Sequence, residues 1–274
     1  MQAWLSHFQT GGMGVGIIPA AAIDAADNVY LELTMPNQES YDTFSFNSLG
    51  AFRWGSSNPT RNGASVAYSL ILDSQTNIVI TGANAHFSSG SSIGTFKIAA
   101  GGTEVWGLNY PATPVGGSEG AALAIDRKND IYVTGFSPSA NGSNDIVTIA
   151  YDTNGKQLWL QRYDGPAHGD DEGNAIAVDT NGNVYVAGYD TPIGGGTEMV
   201  LIKYSPVTAK HEANGNFQLE AQGAANEPFD IRATTNLSTW QDLGLFDADT
   251  NGLLQFTDTN ASQYNSRFYL AIPQ

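Results

Sequence analysis

The sequence predicts an all-β protein: a β-propeller of four blade repeats followed by a small β-sandwich-like C-terminal domain. Two markers recur along the first three quarters of the chain. An aspartate that follows a short apolar run recurs at spacings of 49, 53 and 53 residues: Asp24, Asp73, Asp126 and Asp179. A tryptophan recurs at spacings of 50, 52 and 53 residues: Trp4, Trp54, Trp106 and Trp159. Two independent markers with one period near 50 residues are typical of propeller blades.

Each repeat also carries short strand signals separated by turn residues. The clearest unit alternates apolar and polar residues in 157–163 and continues with apolar runs in 174–178, 183–187 and 199–204. Glycine, asparagine, aspartate or proline bounds each run, and no window keeps a helical period. Four short strands in a repeat of this length describe a propeller blade.

The repeats predict the domain boundaries. We expect propeller repeats in 1–206, a polar linker in 207–215 and a C-terminal β-domain in 216–274. Closure of the propeller has three interpretations. A strand at 3–8 could complete the fourth blade and close a ring, the four blades could form an open arc, or two chains could pair into eight blades. An open arc would leave unpaired strand edges, which favour association with another chain.

Composition excludes several classes of function. The chain has 27 acidic and 11 basic residues, which gives a net charge of −16, and it has no cysteine. Its charge disfavours binding to nucleic acid and to anionic membranes, because both need basic surfaces. The lack of cysteine excludes disulfides and thiol chemistry. No apolar run is long enough for a membrane-spanning helix, so we expect no membrane insertion.

Two segments of the repeats resemble a known family. The runs 169–188 (GDDEGNAIAVDTNGNVYVAG) and 146–159 (IVTIAYDTNGKQLW) are similar to the two halves of the bacterial SBBP-type β-propeller repeat. The resemblance extends over roughly 1–206 and is weaker in the first two repeats. It implies several blades around an axis, in the setting of large exported bacterial proteins. We therefore expect an extracellular or cell-surface protein whose signal peptide is not present in this chain.

The C-terminal domain has a resemblance of its own. Its segments 234–244 (TTNLSTWQDLG) and 267–273 (RFYLAIP) resemble a small β-domain of exported Planctomycetes and Verrucomicrobia proteins. The resemblance implies a sandwich-like module for attachment or surface display.

The C-terminal domain also contains a candidate calcium loop in 247–258. Its oxygen-bearing residues have the spacing of calcium ligands, and a glycine at the sixth position permits a sharp turn. The predicted ligands are Asp247, Asp249, Asn251, Leu253 and Asp258. The alternative is a β-hairpin turn in which aspartate and asparagine cap backbone amides. Calcium is the one cofactor for which the sequence offers a candidate site, and no cofactor is required by the rest of the chain.

Candidate catalytic and ligand-binding residues lie near the loops between strands. A catalytic alternative uses the acidic cluster Asp170, Asp171 and Glu172, although its Gly-Asp-Asp core is ordinary for the repeat. Aromatic residues beside loops rich in glycine and proline are candidate stacking surfaces for a carbohydrate or peptide. They are Tyr110, Phe136, Tyr163 and Tyr189. The recurring tryptophans are interpreted as packing residues.

The favoured function is a non-catalytic exported binding or scaffold protein that recognises a polysaccharide or a surface protein. The first alternative is a hydrolase that cleaves polysaccharide or ester substrates in a loop-lined propeller cleft. The second is a structural subunit that self-assembles through open blade edges.

Overall fold

The computed structural model describes residues 17–34, 40–59, 65–86, 90–110, 117–140, 142–205, 208–222, 225–236, 239–264 and 266–273. Within these ranges every regular element is a β-strand, apart from one short 3₁₀ helix at Ala261–Gln263. In the same ranges no helix has the length and apolar character needed to cross a bilayer. The prediction of an all-β chain is confirmed. Contacts divide the chain into two units, Met1–Lys203 and Tyr204–Gln274.

Among its described residues the N-terminal unit contains four sheets that follow one another along the chain, and strands adjacent in sequence are adjacent in each sheet. Sheet 1 comprises β1 (Ile17–Ile23), β2 (Val29–Thr34), β3 (Ser40–Phe46) and β4 (Phe52–Pro59). Sheet 2 comprises β5 (Ser65–Leu72), β6 (Ile78–His86), β7 (Gly90–Ile98) and β8 (Glu104–Tyr110). Sheet 3 comprises β9 (Glu119–Ile125), β10 (Ile131–Pro138), β11 (Asn144–Tyr151) and β12 (Gln157–Tyr163). Sheet 4 comprises β13 (Glu172–Val178), β14 (Val184–Asp190) and β15 (Glu198–Tyr204).

Consecutive sheets of this unit pack against each other. The first strands contact in chain order: β1 with β5, β5 with β9, and β9 with β13. Tyr30 and Ile80 belong to an apolar cluster formed by residues of sheets 1 and 2. Val79 and Val133 belong to a second cluster, formed by residues of sheets 2 and 3. Burial of each such side chain contributes roughly 1.5–3 kcal/mol, so these layers supply much of the stability of the unit.

Closure of the sheets into a ring is not found in the part of the chain that the structure describes. The strand predicted at 3–8, which would pair with sheet 4, and its Trp4 lie outside the described residues. Ring, open arc and paired chains therefore stay predictions.

The C-terminal unit has two three-stranded sheets. One sheet has the order β16 (Thr208–His211), β17 (Phe217–Gln222) and β20 (Leu253–Asp258). The other has the order β19 (Gln241–Asp247), β18 (Pro228–Thr234) and β21 (Phe268–Pro273). Leu219 and Leu254 from the first sheet share one core with Phe229 and Ile231 from the second. Two sheets around a common core have the arrangement of a β-sandwich.

The segment 207–215, predicted as a linker, contains a strand. β16 pairs antiparallel with β17, from Thr208 opposite Glu220 to His211 opposite Phe217. A four-residue strand of mostly polar residues has too short an alternation to be read from the sequence. Its backbone pairing with β17 makes it part of the C-terminal unit.

Candidate functional site

The recurring aspartates close the hairpin between the first and second strands of each sheet. In sheet 1, Asp24 Oδ1 accepts hydrogen bonds from the amides of Ala26 and Asn28 at 2.8 and 2.9 Å. Its Oδ2 accepts from Asn28 Nδ2 and from the hydroxyl of Tyr30, both at 2.9 Å. Burial alone would raise the pKa of Asp24, but these hydrogen bonds outweigh it and lower the pKa to about 2. Both oxygens of the carboxylate hydrogen-bond to the turn and its neighbouring tyrosine, so Asp24 is not a candidate acid or base.

Sheet 2 departs from this pattern and contains a buried ion pair that the sequence did not predict. Val79 stands where sheets 1, 3 and 4 have a tyrosine, and Lys97 Nζ lies 2.9 Å from Asp73 Oδ2. Lys97 also donates to the carbonyl and hydroxyl oxygens of Thr153 in sheet 3, at 3.1 and 2.8 Å. Burial opposes ionisation of Asp73, yet Asn77 and Lys97 hold its pKa below the usual value. The pair joins sheets 2 and 3.

Two of the recurring tryptophans, Trp54 and Trp106, also join consecutive sheets. Trp54 Nε1 donates to the carbonyl of Ala100 at 2.9 Å, and Trp106 Nε1 donates to the carbonyl of Thr153 at 3.2 Å. Each acceptor lies in the turn between the third and fourth strands of the next sheet. Gly155 lies against the Trp106 indole with φ of +85°, and a Cβ there would lie 2.9 Å from a ring carbon. The interpretation of these tryptophans as packing residues is confirmed.

The acidic residues of the catalytic alternative hold the loop between β12 and β13. Asp171 is fully buried, and its carboxylate accepts from the amides of Gly165 and Thr191. Asp170 Oδ1 accepts from the amide of Asn144 at 3.0 Å. Glu172 lies opposite Tyr189 in the pairing of β13 with β14. The structure brings the three acids to one loop but directs at least two of them to backbone amides.

Two of the predicted stacking tyrosines have hydroxyls that hydrogen-bond within the protein. Tyr110 accepts a hydrogen bond from Arg162 Nη1 at 3.2 Å, and Tyr163 donates to Asp190 Oδ2 at 2.7 Å. Burial and the carboxylate of Asp190 raise the pKa of Tyr163 to about 12. Burial and Glu172 raise the pKa of Tyr189, on β14, to about 12.

The fourth candidate, Phe136, is partly buried on β10, where its cross-strand neighbours are Glu119 and Ile146. The four aromatic residues lie on three different sheets: β8 in sheet 2, β10 and β12 in sheet 3, and β14 in sheet 4. Ligand binding by these residues stays a prediction.

Arg162 is a further residue that sequence reasoning missed. Its Nε and Nη2 lie 3.1 and 2.8 Å from Asp145 Oδ2, and Nη2 also donates to the carbonyl of Ser137 at 2.8 Å. With its bond to Tyr110, one guanidinium joins three strands of sheet 3 to sheet 2. The sequence carries a weak signal for such residues, because only 11 of its residues are basic. A lone Lys or Arg inside a strand of such a chain is a candidate for a buried ion pair.

The candidate calcium loop is a turn between β19 and β20, which belong to different sheets, so the hairpin interpretation is wrong. Asp249 Oδ1 accepts from the amides of Asn251 and Leu253 at 2.7 and 2.9 Å, and these bonds hold the pKa of Asp249 below its usual value. The carbonyl of Leu253 accepts from the amide of Asp249. The capping part of the alternative interpretation is confirmed.

The other predicted ligands of the loop do not gather around a common centre. Asp258 Oδ2 accepts from the hydroxyl of Tyr269 at 2.9 Å and lies 3.0 Å from Arg267 Nε. Asp247 is exposed at the end of β19. The described parts of the chain contain no group of three or more His, Cys, Asp or Glu residues placed to hold a metal. Calcium binding at this loop stays a prediction.

Comparison with family models supports the predicted repeat type. Residues 162–189 match the SBBP beta-propeller repeat. The SBBP match runs from the end of β12 through the loop of Asp170 and Asp171 to β14, and it supports the repeat family predicted from the sequence. No curated protein matches the chain. The resemblance of the C-terminal domain stays a prediction.

Several solved structures are similar to the chain at low identity. A gluconolactonase from Xanthomonas campestris has 12% identity and a TM-score of 0.38, covering 74% of this chain and 68% of that one. A tail fibre of Staphylococcus aureus phage P68 has 8% identity and a TM-score of 0.28, covering 86% and 75%. A tetra-tandem repeat from a large adhesion protein has 10% identity and a TM-score of 0.18, covering 95% and 74%. These similarities carry no inference about activity.

Proposed function

We propose that the chain is a non-catalytic, exported binding or scaffold protein, located outside the cell or on its surface, whose ligand is a polysaccharide or a surface protein. The observation that carries the proposal is the use of Asp170 and Asp171 as acceptors for backbone amides. A glycosidase needs a carboxylic acid and a carboxylate that both face the substrate. A fully buried Asp171 with two amide donors does not meet that requirement.

The bonds between sheets support a scaffold role. Trp54, Trp106, Lys97 and Arg162 each reach a neighbouring sheet with a directed hydrogen bond. Such bonds fix the sheets relative to one another, and a rigid framework holds the connecting loops at constant positions for a ligand. The net charge of −16 favours a neutral or basic ligand, because an anionic one would be repelled.

A retention assay on insoluble polysaccharides tests the proposal. Purified full-length protein is mixed with several neutral and acidic polymers, with calcium or with a chelator, and the bound fraction is measured. Saturable retention on one polymer without release of reducing sugar supports the binding function. If the chelator abolished retention, binding to the polymer would depend on calcium. Release of sugar that Asp171→Asn abolishes while the variant stays folded would establish the hydrolase instead.

The self-assembling subunit is a second candidate, because one face of sheet 4 is exposed within the part of the chain that the structure describes. Ile146 and Thr148 on β11 are 0% exposed. One repeat of 53 residues later on β15, Met199 and Leu201 are 85% and 68% exposed. The same face is therefore covered in sheet 3 and open in sheet 4, where another sheet could pack. Light scattering over a wide concentration range tests this candidate: assembly that Leu201→Glu abolishes would support it, and a constant monomer mass would exclude it.

A further inference from the structure

The C-terminal unit contains a cavity of about 350 Å³ between β19, β20 and the chain that follows β20. This volume is within the range of small-ligand sites, which begins near 300 Å³. Neutral hydrogen-bonding side chains dominate its wall, with the aromatic rings of Phe256 and Tyr264, the carboxylate of Asp258 and one guanidinium beside them. The residues that matter for its chemistry are Gln241, Thr257, Asn260, Gln263, Tyr264 and Arg267.

Arg267 is the buried cation of this cavity. Its side chain is 7% exposed, and its Nε lies 3.0 Å from Asp258 Oδ2, outside hydrogen-bond geometry. Nη2 makes a long contact of 3.4 Å to Gln241 Oε1. A guanidinium carries five N–H donors, and buried donors without acceptors are unfavourable. Nε is the buried donor of this guanidinium that lacks an acceptor among the described residues, and the Nη atoms are open to an acceptor in the cavity.

The charge of the cavity favours a neutral ligand. Asp258 offsets the charge of Arg267, and its two oxygens already accept from the hydroxyl of Tyr269 and the amide of Asn260. A carboxylate ligand would approach Asp258, and the net charge of −16 would oppose it as well. Hydroxyl groups can accept from Arg267 and exchange hydrogen bonds with the amide side chains of Gln241 and Gln263 without adding charge.

Tyr264 gives the cavity an aromatic wall. The guanidinium of Arg267 lies 4.2 Å from the centroid of its ring, while 39% of the residue is exposed. This packing fixes the ring and leaves part of it open. A rigid, partly exposed ring beside convergent polar groups suits a ligand with an apolar C–H face and a rim of hydroxyls. A sugar ring has both.

We propose that this cavity binds one sugar unit of a neutral polysaccharide. The inference rests on the proposed binding function, and it places the sugar site in the C-terminal unit rather than at the aromatic residues of the propeller repeats.

Calorimetric titration of the full-length protein tests the inference. The probes are cellohexaose, chitohexaose, xylohexaose and mannohexaose, with hexagalacturonate as a charged comparator. We expect one neutral probe to bind, and the charged probe to bind more weakly. Tyr264→Ala and Arg267→Lys should weaken that binding by about tenfold or more, and the exposed Gln263→Ala by about threefold. Thr250→Ala, an exposed turn substitution outside the cavity, should leave it unchanged.

The outcomes separate this inference from the proposed function. If a probe binds and these variants do not change its affinity, or if the charged probe binds best, the cavity is not the site. If no probe binds while the protein is still retained on a polymer, the inference fails and the binding function stands. If neither soluble nor insoluble carbohydrate is bound, the inference and the polysaccharide form of the function fail together. Circular dichroism of each variant ensures that lost binding is not lost folding.

Discussion

The ammonium of Lys97 occupies, against Asp73, the position that a tyrosine hydroxyl occupies against the equivalent aspartates of sheets 1, 3 and 4. Lys97 Nζ lies 2.9 Å from Asp73 Oδ2. In sheet 1 the hydroxyl of Tyr30 lies at the same distance from Asp24 Oδ2. In each repeat Oδ2 of the aspartate therefore accepts a hydrogen bond from a side chain of the sheet. The donor lies on the second strand in sheets 1, 3 and 4 and on the third strand in sheet 2.

The exchange follows the strand register. The cross-strand pairs at this position are Tyr30–Ser45, Val79–Lys97 and Tyr132–Ala150. A large donor on the second strand faces a small residue on the third, whereas sheet 2 has the apolar residue on the second strand and the donor on the third. The donor to the aspartate Oδ2 is thus supplied by one or the other residue of the same cross-strand pair.

Removing the ammonium should destabilise the protein strongly. We expect Lys97→Ala to lower the free energy of unfolding by about 3–5 kcal/mol, because Asp73 would keep a buried charge without its partner. Chemical denaturation measures the change. Lys156→Ala, at an exposed lysine in a turn of sheet 3, is the matched control and should change stability by less than about 0.5 kcal/mol.

Restoring the arrangement of the other sheets should reverse that loss. The double variant Val79→Tyr, Lys97→Ala places a tyrosine on β6 opposite an alanine on β7, as in sheet 3. We expect it to recover at least half of the stability lost in Lys97→Ala, a non-additive coupling typical of contacting residues. Strictly additive effects of the two substitutions would contradict the equivalence of the two donors.

Gly155 should be required for the contact between sheets 2 and 3. Gly155→Ala forces an alanine to φ of +85° and places its Cβ 2.9 Å from the Trp106 ring. Gly195→Ala is the matched control, since Gly195 has φ of +83° and no atom near its added Cβ. Both variants share the backbone strain, so the difference between their free energies of unfolding, measured by chemical denaturation, reports the collision of the added Cβ with the indole. We expect Gly155→Ala to be less stable than Gly195→Ala by about 1–3 kcal/mol. Equal losses of stability in the two variants would show that the Trp106 ring shifts to accommodate the added Cβ, and the prediction would be wrong.

The turn aspartates and tryptophans could be predicted because each repeats with the period of the fold. The role of Lys97 could not, because it depends on the register of β6 against β7, which spacing alone does not give. The hydrogen-bond partners of Tyr110 and Tyr163 could not be predicted for a similar reason. They come from other strands, 52 residues away for Arg162 and 27 residues away for Asp190. Proximity to a loop in the sequence predicted exposed aromatic residues, and the structure places both partly buried, with a hydrogen-bond partner on a neighbouring sheet.

Asp171 should be a structural residue rather than a catalytic one. Asp171→Asn replaces one acceptor oxygen with an NH₂ group that faces an amide donor, from either Gly165 or Thr191. We expect a loss of about 1–3 kcal/mol in chemical denaturation. Asp170→Asn is the control in the same loop and should lose less, because its side chain keeps an oxygen for the one amide that it caps. If Asp171→Asn were as stable as the unmodified protein, the structural role would be wrong and Asp171 would again be a candidate catalytic residue.

Stability should also fall as pH rises, because of a buried carboxyl group in sheet 1. Glu32 is fully buried; its Oε2 accepts from the hydroxyl of Thr43 at 2.9 Å, and its Oε1 has no partner within the described residues. Burial raises the pKa of Glu32 from 4.5 to about 8. The folded protein therefore keeps this group protonated where the unfolded chain ionises it. Unfolding releases a proton between these two values, so stability is lost as pH rises through that window.

The substitution Glu32→Gln isolates this effect, since the amide cannot ionise. We expect its melting temperature to exceed that of the unmodified protein by an amount that is small near pH 4.5 and grows until about pH 8. Differential scanning calorimetry at several pH values measures the difference, which cancels the contributions of the other carboxylates. Glu104→Gln, at an exposed glutamate on β8, should give a small difference throughout. A difference that stays constant with pH for Glu32→Gln would show that this carboxyl group ionises alike in the folded and unfolded chains.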